Sequence, residues 1–531
     1  MGTAEDLPMF SHRWLLPFLG GALFSVALPL DLGPLYENKA VGFAVKPLKD
    51  WNAVPPQPRE KYQVVGWVSK HEQLARKQHV KYNPEMNILV FRSAEPPDPN
   101  QDPKKAADEL RMRDEYGPWS TFSAYADRYL KGRGVSKEGE PKKKEINGVT
   151  AQVWTLMFND GHQPPIRRVV YVFPGDGCEV AVEYTSMDEW YSSFSGDVEA
   201  SAKTFKFTGT DAKPKAASAA KPSDGSSAPG ATTDEDSPAV AQKKLLDEQI
   251  AKLPPGWKHF VSKKGRYLIL YDAEDGFVKQ LAVHLEAMRD YYETVFVPDQ
   301  KITAISIVRV CKDETMYHGY GGPPSTGGYW SPRQHELVVF QNKNVDQLGT
   351  FGVISHEAFH QYIYYFYGEL SPHSWYNEGH GDYFSGAVLG GEKVVDIKPY
   401  RRAGYDREST IKEAVRAGTY TPLRKFVKFS QREYYSGNVD LNYSEGWSII
   451  YFLRAGKKEG VKFDEKWSKV LDDYLRNLVA ARDKARADSK ESFNMSEYDG
   501  SIQSNALAAT FSSWSDEDWA AFEGAWKKFY S

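Results

Sequence analysis

Hydrophobic and polar positions change period several times along the 531-residue chain. Runs rich in β-branched and aromatic residues predict strands over 62–68, 87–91 and 149–158. Two more, 168–173 and 179–184, flank Pro174-Gly175-Asp176-Gly177 as a hairpin, followed by a helix over 187–203 and a strand over 204–208. From Asp211 to Val240 the pattern lapses: the stretch is almost entirely Ala, Ser, Pro, Gly, Thr, Lys and Asp, and no aromatic residue occurs in it. Such a segment buries too little apolar area to offset its ordering entropy, so it reads as a flexible linker. A helical pattern resumes over 240–253, then a strand over 267–271 and an amphipathic helix over 277–295 with Leu281, Leu285 and Met288 on its apolar stripe. Strands over 302–310 and 336–340 enclose a Gly/Pro-rich loop, 319–328, and helices dominate from 348 onward. The expected class is α+β. A separate α+β domain (44–208), with an accessory role, and a linker (209–246) precede a second domain (247–531) with a mixed sheet and a helical carboxy-terminal region.

One segment stands apart from both domains. Residues 14–30 are uncharged and mostly apolar, and Ser25-Val26-Ala27 supplies small residues of the kind found at leader cleavage sites. Residues 1–30 therefore read as a signal peptide or membrane anchor, and the chain as exported to the periplasm, cell envelope or exterior. Net charge is -4, which offers no electrostatic footprint for nucleic acid. The two cysteines, Cys178 and Cys311, fall on opposite sides of the linker and read as free thiols.

The candidate chemistry lies in His356-Glu357-Ala358-Phe359-His360 on the helix predicted over 349–367. A spacing of four places both imidazoles on one helix face, within reach of a single ion. Glu357 is then positioned to take a proton from water as general base. HExxH also arises by chance, so the next segment carries weight. Ser374-Trp375-Tyr376-Asn377-Glu378-Gly379-His380-Gly381-Asp382 follows a turn at Pro372, and a second helix there presents Glu378 as third ligand. Asp382, one turn later, shares that face and can accept the outer ring N–H of His356 or His360. Two imidazoles and a carboxylate suit one Zn2+ with a coordination position left open.

These residues resemble the gluzincin metallopeptidases, the superfamily of thermolysin-like and M1 aminopeptidase-like enzymes. His356, Glu357, His360, Asn377, Glu378, Gly379 and Asp382 match its HExxH and Asn-Glu-Gly-x-x-Asp pattern in order. Tyr443-Ser444-Glu445-Gly446 is similar to the M1 element Tyr-x-Lys-Gly, with Glu445 in place of lysine. The M1 segment Gly-x-Met-Glu-Asn is absent, whereas Gly327-Gly328-Tyr329-Trp330 is similar to the edge-strand region of uncharacterised bacterial members. The resemblance covers roughly 260–455 and implies a zincin-type catalytic domain in which Tyr443 donates to the oxyanion, as a phenol can.

The expectation is a zinc-dependent hydrolase of peptide bonds, acting on a peptide or protein and attached to the envelope, if at all, through its amino-terminal segment or domain. His373 and His380 are further candidate donors. A silent zinc-containing interaction module and a hydrolase of a non-peptide amide are the competing classes. An intact Glu357 argues against the first, since a structural site needs no base.

Overall fold

A computed structural model describes residues 32–57, 60–75, 80–92, 117–159, 161, 163–209, 238–298, 302–324, 326–343, 347–367, 372–399, 401–402, 405–489 and 495–531. The expected leader over 1–30 and most of the expected linker lie outside these residues. The last part of the expected linker, from Pro238, is helical. No described helix is long and apolar enough to cross a membrane.

The chain is α+β. In its first half eight strands form one sheet: β1 (Trp51–Val54), β2 (Gln63–Ser69), β3 (Glu85–Arg92), β4 (Val135–Lys137), β5 (Lys142–Ile146), β6 (Val149–Phe158), β7 (Ile166–Gly175) and β8 (Cys178–Met187), in the order β1-β2-β3-β8-β7-β6-β4 with β5 also on β6. All its pairings are antiparallel. The β7–β8 hairpin turns where the Pro-Gly-Asp-Gly sequence required, with Gly177 at positive φ. One face buries Val65, Trp67, Ile88, Val182 and Tyr184; the other packs Leu89, Phe91, Trp154 and Val172 against a short helix at Phe122–Tyr125. Tyr36–Asn38 and Phe43–Val45 also pair, the latter with Lys206–Phe207, so the packed unit begins upstream of residue 44.

The second half opens on a five-stranded sheet: β9 (Lys258–Val261), β10 (Tyr267–Tyr271), β11 (Ser306–Cys311), β12 (Gly328–Ser331) and β13 (Glu336–Phe340), ordered β9-β10-β11-β13-β12. The three central strands are parallel and both outer ones antiparallel. Every residue of β10, β11 and β13 is buried, as covered parallel strands require, and the two charged ones, Arg309 and Glu336, pair with each other at 2.7 Å. Helices α1 (Asp275–Val295) and α2 (Gln347–Tyr367) pack on this sheet, α3 (Ser374–Ser385) packs on α2, and α4 (Arg407–Ala417) and α3 both pack on α5 (Val439–Ala455). Three further helices, at 465–488, 495–510 and 516–530, complete the second half. A hairpin at Ala387–Gly390 and Lys393–Ile397 interrupts the region expected to be helical.

The two halves share a small apolar seam in which Val54 and Val68 pack with Met316, Tyr317, Tyr320, Val338 and Phe340. Polar contacts flank it: Gln57 Nε2 donates to the Gly319 carbonyl at 2.8 Å, and Lys312 Nζ to Asn52 Oδ1 at 2.6 Å.

Candidate metal centre

α2 and α3 cross at the site, and two glycines set how closely α3 approaches its neighbours. A Cβ on Gly381 would stand 2.7 Å from the His356 ring, and one on Gly379 would stand 2.5 Å from the Gly446 carbonyl oxygen of α5. Ordinary contacts are longer, so only glycine permits this spacing. It brings His356 Nε2 to 3.1 Å and His360 Nε2 to 3.6 Å from Glu378 Oε2.

The outer edges of both rings are held. His356 Nδ1 lies 3.1 Å from Asp382 Oδ1, and His360 Nδ1 lies 3.2 Å from Asn377 Oδ1. Those oxygens only accept, so each Nδ1 carries a proton and, in the neutral form that can ligate a metal, each ring turns its Nε2 lone pair inward. Two lone pairs then face a carboxylate oxygen, an arrangement that repels itself unless a cation or added protons sit between them. Ligand atoms of a tetrahedral zinc, at about 2.0–2.1 Å from the ion, stand roughly 3.3 Å apart, and the two observed separations bracket that value. His356, His360 and Glu378 are the group among the described residues able to share one metal ion.

Electrostatics follow from the same contacts. Burial opposes protonation of His356, but hydrogen bonds to Asp382 and Glu378 outweigh it and raise its pKa well above the usual imidazole value. Burial would raise Glu378, yet the two histidines hold it well below the carboxylate range. Glu357 is raised by burial, against the pull of His356 and His360. Its Oε2 accepts the backbone N–H of Trp330 at 2.9 Å.

Tyr443 lies on α5 with its ring 4.9 Å from the Arg407 guanidinium. Burial, then the charge of Glu378, raises its pKa, so it is a neutral phenol. His373 and His380 face elsewhere. His373 Nδ1 meets the Tyr474 hydroxyl at 2.8 Å, and burial pushes its pKa down to about 4. His380 lies between the Tyr376 carbonyl and Arg454, at 2.7 and 2.9 Å. Neither is presented to the centre.

Three contacts were not foreseen. Arg407 Nε donates to Asp382 Oδ2 at 2.8 Å, extending the chain His356–Asp382 by one cation. The Tyr435 hydroxyl donates to Glu378 Oε1 at 2.7 Å. An aromatic wall of Trp330, Tyr364 and Tyr365 continues along α2 beyond His360. Of the three aromatic residues only Tyr364 carries a sequence signal, a helical repeat four residues after His360.

No family model matches the chain, and no curated protein matches it. Among solved structures it is similar to cyanobacterial PsbP from Synechocystis sp. PCC 6803 (9% identity, 35% of this chain, 98% of that one, TM-score 0.22). It is also similar to LpqN of Mycobacterium tuberculosis, involved in cell envelope biogenesis (14% identity, 32% of this chain, 83% of that one, TM-score 0.19). A Bacteroides thetaiotaomicron structure is matched at 8% identity, over 62% of this chain and 79% of that one, with a TM-score of 0.21.

Proposed function

We propose that the second half of the chain is a zinc-dependent peptidase of zincin type, with His356, His360 and Glu378 holding one Zn2+ and Glu357 as general base. The observation that carries the reading is the convergence of three inward-facing donor atoms, with a carboxylate beside them held by a separate strand. The zinc would supply a Lewis acid that eases deprotonation of water near neutral pH.

The protein's own groups divide the remaining work. The Trp330 N–H orients the Glu357 carboxylate, which takes the proton of the attacking water and passes it to the leaving amine. Asp382 and Asn377 fix the tautomers of the two imidazoles, while Arg407 holds Asp382. Tyr443 donates a hydrogen bond from its phenolic O–H to the oxyanion. A peptide substrate is favoured by β12, which ends the sheet among the described strands. The Trp330 N–H leaves that outer edge toward Glu357, so an extended chain added to the edge lies alongside the base.

The test is metal analysis of the purified protein with a peptide-library digest, run before and after chelation and zinc restoration. Stoichiometric zinc and chelator-reversible cleavage are expected; a metal-free protein, or cleavage indifferent to chelator, contradicts the reading. Export is a separate proposal resting on residues 14–30. Amino-terminal sequencing of the mature protein should give a start near Leu28, and an intact Met1 or Gly2 rejects cleavage.

A further inference from the structure

A cavity of about 430 Å³ lies in the first half of the molecule, away from the metal-binding residues. Its floor is one face of the eight-stranded sheet, and that face changes character along its length. At one end Leu89, Phe91, Val172 and Ala181 pack under the Phe122–Tyr125 helix. Further along the same strands the side chains become Glu85, Asn87, Glu183 and Arg168, joined by Gln63 of β2. Strand pairing assembles this floor, with Asn87 opposite Glu183 and both Glu85 and Arg168 opposite Thr185.

Charges here cost stability that apolar side chains would not, and the apolar end shows how the same sheet and helix close without them. The roof departs from regular geometry as well. Beyond Tyr125 the chain enters a π-helical turn, Ala126–Leu130, and a 3₁₀ turn, Lys131–Arg133. Such turns recur where a site demands an irregular backbone. This one sets Tyr129 and Leu130 over the cavity.

The charges do not balance within the floor. Glu183 takes Arg168 at 2.9 Å, which leaves the Nε of that arginine buried without a partner. At the rim Arg133 lies 3.8 Å from Glu60 and 4.1 Å from the Tyr129 ring centroid. Among the described residues the Glu85 carboxylate accepts from the Asn87 amide, at 3.4 Å, and no cation lies within ion-pair distance of it. Burial pushes its pKa up to about 7, against the more distant pull of Arg168, so the charge nearby does not make up for the lost solvent. A metal ion does not answer the need: among the described residues, the carboxylates here form no group close enough to share one. Unmatched carboxylate, tyrosine faces and this volume describe instead a site for an organic cation.

We propose that this cavity binds a small organic ammonium ion, seated on Glu85 with Tyr125 and Tyr129 against its alkyl body and charge. The site is independent of the peptidase reading. Calorimetric titration of the full-length protein with n-butylammonium, 1-butanol and butyrate tests it, since the three probes share a size and differ in charge. Saturable binding of n-butylammonium alone is expected, weakened tenfold or more by Glu85→Gln and also weakened by Tyr129→Leu, with metal content unchanged in both. The Tyr129 variant keeps the test valid if Glu85→Gln does not fold. Equal binding of 1-butanol would make the cavity a simple apolar void. Preference for butyrate would assign it to Arg168. Either result, no binding by any probe, or binding indifferent to both substitutions overturns the proposal.

Discussion

Glu445 offers a test of the packing that can be worked through in numbers. It sits inside α5 with none of its surface exposed; its Oε1 accepts the Thr421 N–H at 2.6 Å, and its Oε2 is buried without a partner. Burial pushes its pKa from 4.5 up to about 7, against the hydrogen bonds of Thr421. The folded state therefore keeps this proton to higher pH than the unfolded chain. Stability from this group is intact below about pH 4.5, falls as pH rises toward 7, and levels off above it. A displacement of about 2.5 units corresponds to about 3 kcal/mol. Glu445→Gln keeps the shape and the acceptor but cannot ionise. Urea unfolding at pH 5 and pH 8, followed by tryptophan fluorescence, should show the variant gaining about 2–3 kcal/mol on wild type between the two values, because part of the loss already lies below pH 5. Other titrating groups cancel in that double difference. An unchanged difference, or a variant that loses ground at pH 8, would mean that the carboxylate is charged and stabilised, refuting the burial argument.

Asp382→Asn should leave the fold intact and weaken zinc binding roughly 10–100-fold, measured by competition with a chromophoric chelator; a zinc-loaded structure with Asp382 on the metal would contradict its supporting role. Gly381→Ala, whose Cβ would stand 2.7 Å from His356, should cost about 1–3 kcal/mol in denaturant unfolding and lower zinc affinity in the same competition assay. Limited proteolysis should cut first between Asp211 and Val240, where composition predicts an exposed tether. The seam formed by Val54, Val68, Tyr317 and Phe340 should then keep the two pieces together in size-exclusion chromatography, and immediate separation would contradict it.

Legibility from sequence followed the range of the interaction. β10 and β13 fall where strongly apolar runs put them, and helical spacing fixes locally each of the pairs His356/His360 and Glu378/Asp382. Arg407 reaches Asp382 across 25 residues and an intervening hairpin, with no periodicity to announce it. Tyr435 caps a four-residue helix too short to carry a pattern. The looser match at Glu445 has a local cause: the position faces the Thr421 N–H, which a carboxyl oxygen accepts and a lysine ammonium would repel. The charged floor of the cavity was hidden for a similar reason. Glu85, Arg168 and Glu183 lie on three different strands, Glu85 far from the other two in the chain, and only the order β3-β8-β7 makes them neighbours.

The central claim is tested most directly by one paired measurement: zinc content and peptide-library cleavage of wild type beside Glu357→Gln. Glu357 contributes no ligand atom to the group of three, and the amide preserves an acceptor for the Trp330 N–H while removing the base. Both proteins should carry one zinc, and only wild type should cleave. Equal cleavage by both would contradict the assignment of Glu357 as base, and absence of zinc from both would contradict the metal centre itself.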